Sequence, residues 1–309
     1  MKPPAIEITD LHKSYNGTTA LRGVDITIEE GQFFGLLGPN GAGKTTTINI
    51  LTGLVRRERG STAVFGRDTV TDFRFTRSQL GIAAQELSVD WFFPIEKLLL
   101  FQAGYYGIPQ NKIRNRVTEL LHRLGLYEKR HARLRHLSGG MKRRFQLAKA
   151  LVHDPKILIL DEPTAGVDVE LRHELWDYLR DLHRRGKTIL LTTHYIEEAE
   201  LLCEDVAIID DGKIIKQGSP RELTRELGRS GVTIHLSGWH EDLPELLKDY
   251  TCTNCTDGRL HFTMREPEQA LPDIIRILVE KGCRIHRIEN EKSSLEDVFL
   301  SLTGKGIDG

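Results

Sequence analysis

The chain has 309 residues, 39% apolar and 28% charged, with a formal net charge of −1. That is length for about two domains and the composition of a soluble globular protein. It gives no basic field for nucleic acid and no uninterrupted apolar stretch for a membrane span.

The apolar-richest segment, "WFFPIEKLLLFQAGYYG" (91–107), carries Pro94, Glu96, Lys97 and Gln102. The opening "MKPPAIEITD" has neither the basic nor the apolar region of a secretion signal, so a cytoplasmic location is expected.

Residues 4–9 and 22–29 alternate apolar and polar side chains, the pattern of half-buried strands. Residues 32–37 are a more continuous apolar run leading into "GPNGAGKTTT", after which "TTINILTGL" reads as helix. Residues 91–153 read as mostly helical, with an amphipathic stretch over 111–126 and breaks at Gly125 and "HLSGG". Then come a buried strand at 156–160, a helix at 169–184, a buried strand at 187–192 and a helix at 195–203. Residues 205–218 form a strand, a "DDG" turn and a strand. Such alternation predicts a mostly parallel α/β sheet covered on both faces.

The composition shifts near "GSPRELTRELGRSG" (218–231). We therefore expect one domain over 1–220, with a helical subdomain at about 91–153, and a small α+β domain over 221–309. In the second domain the expected order is strand 232–236, helix 241–249, strands 251–255 and 259–264, helix 268–281, strand 284–289 and helix 294–302. This is a split βαβ arrangement with an added terminal helix. Ser293 and Glu296 read as a capping box for the last helix. Leu295, Val298, Phe299 and Leu302 form its apolar stripe, expected to dock on its own domain. Cys252 and Cys255 form a C-x-x-C. With no second pair to complete a zinc site and no helix start after it, the expectation is reduced thiols in or beside a strand.

"GPNGAGKT" (38–45) fits G-x-x-x-x-G-K-[ST], between an apolar strand and a helix. Gly38, Gly41 and Gly43 allow the backbone to turn N–H groups onto phosphate oxygens, and the helix adds its positive end. Pro39, Asn40, Ala42 and Thr46 complete the phosphate-binding stretch. Lys44 is expected to reach the β- and γ-phosphates and Thr45 to ligate Mg²⁺. A plain glycine-rich turn would not require the lysine and threonine. "ILILDEP" (157–163) places Asp161 at a strand's carboxyl end, where it would hold Mg²⁺ through water. Glu162 would serve as general base or water-orienter.

"LSGGM" (137–141) lies shortly upstream of that strand. With the P-loop and the Asp-Glu pair, it makes residues 4–220 resemble the ATP-binding subunits of ABC transporters. The resemblance implies a P-loop NTPase nucleotide-binding domain with a helical subdomain. It implies that Tyr15 stacks on adenine and that Gln85 touches Mg²⁺ and the attacking water. His194 would contact the γ-phosphate, and Asp168 would be the D-loop aspartate. Two copies would meet head to tail, with Ser138, Gly139 and Gly140 clamping ATP bound to the partner's P-loop. An ordinary capped helix accounts for Ser138, but two glycines there cost roughly 1–2 kcal/mol with no expected return in packing.

The family's usual fifth residue is glutamine, and Met141 stands here, as in ABC-2-type exporters. Lys142, Arg143 and Arg144 read as a solvated, locally paired helix face rather than a nucleic-acid patch. The resemblance implies an ATPase motor for an ABC-2-type exporter. It would work as a homodimer on a separately encoded integral-membrane permease, peripheral on the inner face of the cell membrane. The closing "SSLEDVFLSLTGK" is similar to multidrug- and antibiotic-resistance exporter ATPases. Two alternatives stay open: a soluble ABC ATPase acting on ribosomes or DNA, and an importer ATPase.

Overall fold

A computed structural model describes residues 2–84, 91–227, 230–238, 243, 247, 250, 252–256, 258–264, 267–291 and 294–304. It divides into two compact units, Met1–Gly218 and Ser219–Gly306.

The first unit opens with a hairpin, β1 (Ile6–Tyr15) and β2 (Thr18–Ile28). Its two-residue turn has Asn16 at φ 48° and Gly17 at φ 86°, the positive pair that an Asn-Gly hairpin turn requires. β3 (Phe33–Leu37) leads into α1 (Lys44–Leu51), then β4 (Arg59–Val64), β5 (Arg67–Asp68), α2 (Phe73–Gln79) and β6 (Leu80–Ala83). The helical part has α3 (Ile95–Tyr105), α4 (Gln110–Arg123), two short 3₁₀ turns and α5 (Gly139–Leu151). The chain continues through β7 (Ile157–Asp161), α6 (Val169–Arg184), β8 (Thr188–Thr193), α7 (Ile196–Leu202), β9 (Asp205–Asp210) and β10 (Lys213–Gly218).

Six of these strands form one sheet in the order β10-β9-β3-β8-β7-β6, parallel except for β10 against β9. β7 and β8 are buried on both faces, as a covered parallel sheet demands. A second, antiparallel sheet runs β2-β1-β4-β5. Ile6, Ile8 and Leu11 of β1 share a core with Phe34 and Leu36 of β3, Ile159 of β7 and Ile48 of α1. The two sheets therefore close on each other with α1 touching strands of both.

The second unit begins with α8 (Pro220–Leu227) and has β11 (Ser230–Ser237), β12 (Cys252–Thr256), β13 (Arg259–Met264), α9 (Pro267–Glu280), β14 (Arg284–Glu291) and α10 (Leu295–Thr303). Its sheet order is β12-β13-β11-β14, with every pair antiparallel. That is the split βαβ topology. The helix expected over 241–249 lies outside the described residues, save Leu243 and Leu247, both buried.

Two expectations are corrected here. The capping box is one residue later: Ser294 caps α10 reciprocally with Asp297. This start brings Leu295, Val298 and Phe299 into the interior, and α10 packs on α8 of its own unit. Cys252 is disulfide-bonded, so the reduced thiol expected there is wrong. The register of β12 on β13 shifts between Cys252 and Asn254, breaking the alternation that sends residues three apart to opposite faces. The Cys255 side chain lies outside the described residues.

Candidate functional site

The P-loop wraps from the end of β3 onto α1. Gly43 sits at φ 111° before the helix, and a Cβ there would lie 2.7 Å from Leu21 Cδ2 and 2.9 Å from the Ala20 carbonyl. At Gly38 a Cβ would come within 2.3 Å of the Ile209 carbonyl. Both glycines are there because neighbouring backbone leaves no room. Gly38, Pro39, Ala42 and Gly43 are buried while Asn40 and Gly41 are exposed. Lys44 is buried, and its Nζ donates to the carbonyls of Gly38 at 2.7 Å and Pro39 at 3.1 Å. Burial lowers its pKa, opposed by the charges of Glu162 and Asp161.

The carboxyl ends of β3, β8 and β7 are level. Leu37 pairs with Thr193, and Thr192 with Asp161. Asp161 accepts from Thr192 Oγ1 at 2.5 Å on Oδ1 and from Thr45 Oγ1 at 3.2 Å on Oδ2. Thr45 Oγ1 and the Asp161 carboxylate are hard oxygen donors, the kind that a small dication takes directly or through water. Among the described residues no group of three or more His, Cys, Asp or Glu is arranged to hold a metal.

Glu162 is buried and adopts φ 49°, the left-handed region that non-glycine residues disfavour. Its N–H donates to the Thr192 carbonyl at 3.0 Å and to Thr192 Oγ1 at 3.2 Å. Its Oε1 stands 3.6 Å from Lys44 Nζ and 3.3 Å from His194 Nδ1. His194 follows β8 directly, with its ring centroid 4.1 Å from that of Tyr195. Lysine, carboxylates and histidine thus meet at one sheet edge, although they come from segments far apart in the sequence. Thr46, on the first turn of α1, is half-buried. Gln85 lies outside the described residues. Tyr15 ends β1 and is 43% exposed, and Lys13 Nζ is 5.1 Å from its ring centroid.

Ser138 caps α5, its hydroxyl accepting from the Met141 N–H at 3.3 Å. Ser138 and Gly139 are exposed, as is Asp168. Asp168 caps α6 by accepting from the Leu171 N–H at 2.9 Å. A Cβ at Gly140 would lie 2.2 Å from Leu171 Cδ2, the tip of a half-buried side chain that can turn aside.

The three cations after Met141 are not the solvated face expected, for all are half-buried. Successive helical residues are about 100° apart, so three in a row cannot share one face. Lys142 Nζ lies 5.3 Å from the Trp91 ring centroid, and Arg144 donates to the Leu124 carbonyl at 3.4 Å. Arg143 turns into the site. Its Nη2 donates to the main-chain oxygen of Glu162, and its Nη1 to Gln146 Oε1 at 2.9 Å. Sequence reasoning missed this residue, since a run of cations carries no mark of which one points inward. Glu198 was missed as well. It is fully buried, accepts from Trp176 Nε1 at 3.0 Å, and burial pushes its carboxyl up.

A family profile described as ABC transporter matches residues 21–165. One described as the C-terminal domain of DrrA1-3-like ATP-binding proteins matches residues 218–303. The Nod factor export ATP-binding protein I of Ralstonia nicotianae is 39% identical over 311 residues, covering 98% of this chain and 94% of that protein. The solved structure of an ATP-binding subunit of an ABC transporter aligns with a TM-score of 0.67 at 27% identity, over 72% of this chain and 92% of its own. A dimeric structure of a bacterial ABC transporter cassette aligns with a TM-score of 0.65 at 25% identity, over 69% and 98% of the respective chains.

Proposed function

Because this chain belongs to the ABC transporter family of ATP-binding subunits, we propose that it is the ATP-hydrolysing motor of an ABC-2-type export system, working on a separately encoded permease. The observation that carries the chemistry is the placement of Glu162 Oε1 between Lys44 Nζ, at 3.6 Å, and His194 Nδ1, at 3.3 Å. The name of the Ralstonia nicotianae relative supports export as the direction.

ATP lies along the P-loop from Gly38 to Thr46, with adenine stacked on Tyr15. Lys44 leaves the Gly38 and Pro39 carbonyls for the β- and γ-phosphates. Thr45 and Gln85 would hold Mg²⁺, with Asp161 joined through water, and the ion supplies charge neutralisation on the transferred phosphoryl group. Glu162 orients a water and takes its proton as the water oxygen bonds to γ-phosphorus. The bond from γ-phosphorus to the bridging oxygen breaks, and ADP leaves with that electron pair. His194 donates to the γ-phosphate oxygens and is steadied by Tyr195. In a homodimer, Ser138 and the N–H groups of Gly139 and Gly140 face the partner's γ-phosphate, beside Asp168. The dimeric cassette structure supports this pairing. Closing on ATP and reopening after hydrolysis would drive the permease, which holds the assembly at the inner face of the membrane.

The test is affinity purification of the tagged chain from detergent-solubilised membranes, with mass spectrometry of what co-purifies. A stoichiometric polytopic membrane protein supports the proposal. Ribosomal proteins or nucleic acid without such a partner would replace it with a soluble ATPase.

A further inference from the structure

We propose that Arg143 is a positioning residue for Glu162, so that the helix presenting the phosphate clamp to a partner copy also holds the hydrolytic carboxylate of its own chain. The inference rests on the reading of Glu162 as the water-orienting group.

Arg143 lies one turn into α5, just past the cap at Ser138. Its guanidinium bridges three segments. Nη2 donates to the Glu162 carbonyl. Nη1 donates to Gln146 Oε1 at 2.9 Å and reaches the Ala84 carbonyl at 3.5 Å. Gln146 Nε2 donates to that same carbonyl at 2.9 Å. Ala84 immediately precedes Gln85. One planar group therefore ties α5, the end of β6 and the turn after β7 together.

The turn after β7 needs such a tie. Glu162 holds a left-handed backbone, a conformation that persists only where the surroundings over-determine it. Thr192 fixes its N–H and Arg143 fixes its carbonyl. With both ends of the residue held, its side chain points between Lys44 and His194. A merely solvated arginine would not give up water for this setting. Burial opposes the charge on Arg143, while Asp161 and Glu162 beside it and Glu198 on α7 favour it. The rest of the motif behaves differently: Ser138 and Gly139 are exposed, free to meet a second copy.

The test uses the full chain reconstituted with its permease, with single-turnover hydrolysis and ATP dissociation measured separately. Arg143→Ala should slow hydrolysis about 10–100-fold, the scale of a small displacement of a catalytic group. Its ATP dissociation constant should stay within about twofold of wild type, since the P-loop is untouched. Arg143→Lys should recover only part of the rate, because an ammonium cannot span the planar fork's contacts. It also carries the test if the alanine variant fails to fold. Combined with Glu162→Gln, Arg143→Ala should cause no further loss, because the two act as one unit.

Arg143→Ala at the wild-type rate, a dissociation constant that weakens in step with the rate, or additive losses in the double variant would each overturn the proposal. If Glu162→Gln itself hydrolyses like wild type, the reading of Glu162 falls and this inference with it. If Glu162→Gln is inactive while Arg143→Ala is normal, only the role of Arg143 falls.

Discussion

The hydroxyl of Thr192 donates to Asp161 Oδ1 at 2.5 Å, straight across the ladder between β8 and β7. Thr45 Oγ1 reaches both oxygens of that carboxylate, at 3.2 Å to Oδ2 and 3.4 Å to Oδ1. Thr192 is fully buried, so its hydroxyl has no water to turn to. Thr192→Val keeps the volume and removes the donor. Groups that orient a metal ligand typically account for about 10–100-fold in metal affinity. The Mg²⁺ concentration for half-maximal ATPase activity should rise by that factor, and the protein should lose about 1–3 kcal/mol of stability. An unchanged Mg²⁺ titration would rule out this part of the arrangement.

Glu162→Gln keeps the shape of the side chain and removes the base. It should bind ATP, hydrolyse it about 10²–10⁴-fold more slowly, and accumulate as a closed dimer on size-exclusion chromatography with ATP. Turnover at the wild-type rate would remove Glu162 from the mechanism.

Gly43→Ala puts a Cβ 2.9 Å from the Ala20 carbonyl on a backbone at φ 111°. Backbone cannot yield as a side-chain tip can, so the loop must distort. Nucleotide binding should be lost together with a lowered melting temperature. Lys44→Ala should lose nucleotide binding without that drop. A fluorescent-nucleotide titration beside a thermal melt separates the two, and a Gly43→Ala protein that binds normally would contradict the geometry.

Tyr15 presents a half-exposed ring at the end of β1. Stacking is indifferent to which purine lies on the ring. Tyr15→Ala should therefore weaken ATP and GTP alike, by about 2–13-fold for a ring contact of about 0.5–1.5 kcal/mol. Equal dissociation constants before and after substitution would exclude stacking.

His153 carries a pH dependence. Its ring stacks on Tyr106 at 3.6 Å, its Nε2 meets the Leu80 carbonyl at 2.9 Å, and burial lowers its pKa from 6.5 to about 4. The unfolded chain takes up a proton below about pH 6.5, and the folded chain does not until about pH 4. Stability is therefore lost as pH falls through that window, by about 2 kcal/mol between pH 7 and pH 5 from this group. His153→Phe should flatten the pH dependence of urea unfolding by that amount. An unaltered slope would mean that the folded ring titrates normally.

The elements read most accurately from sequence are those whose signals are local and redundant. The helix at 169–184 matches α6 residue for residue, because an Asp cap, a 3.6-residue apolar stripe and basic residues in its last turn all agree. The strand at 259–264 is equally well placed. The first two strands show in their alternation, and the Asn16-Gly17 turn that joins them has its own signal in "YNGT". β4, β5 and β6 were not foreseen. β5 is two residues and β6 four, too short to show a period.

The P-loop, Asp161, Glu162 and His194 carry their chemistry in short motifs. That they meet depends on β3, β8 and β7 lying side by side, which no local window displays. Arg143 could not be found that way, since its role depends on the direction a helix faces after packing.

The Leu37–Thr193 and Thr192–Asp161 pairs are rungs of two hydrogen-bonded ladders that share β8. A slip of one rung between β8 and β7 would carry His194 about 3.3 Å along the strand and reverse the direction of every side chain on it. Lysine, carboxylate and histidine are therefore mounted on a fixed rule. Its tolerance is that of a buried parallel sheet, not of any side chain. Such a rule cannot stretch during a working cycle. On the function proposed above, the distance that a working cycle would change is the one between this rule and the clamp of a second copy.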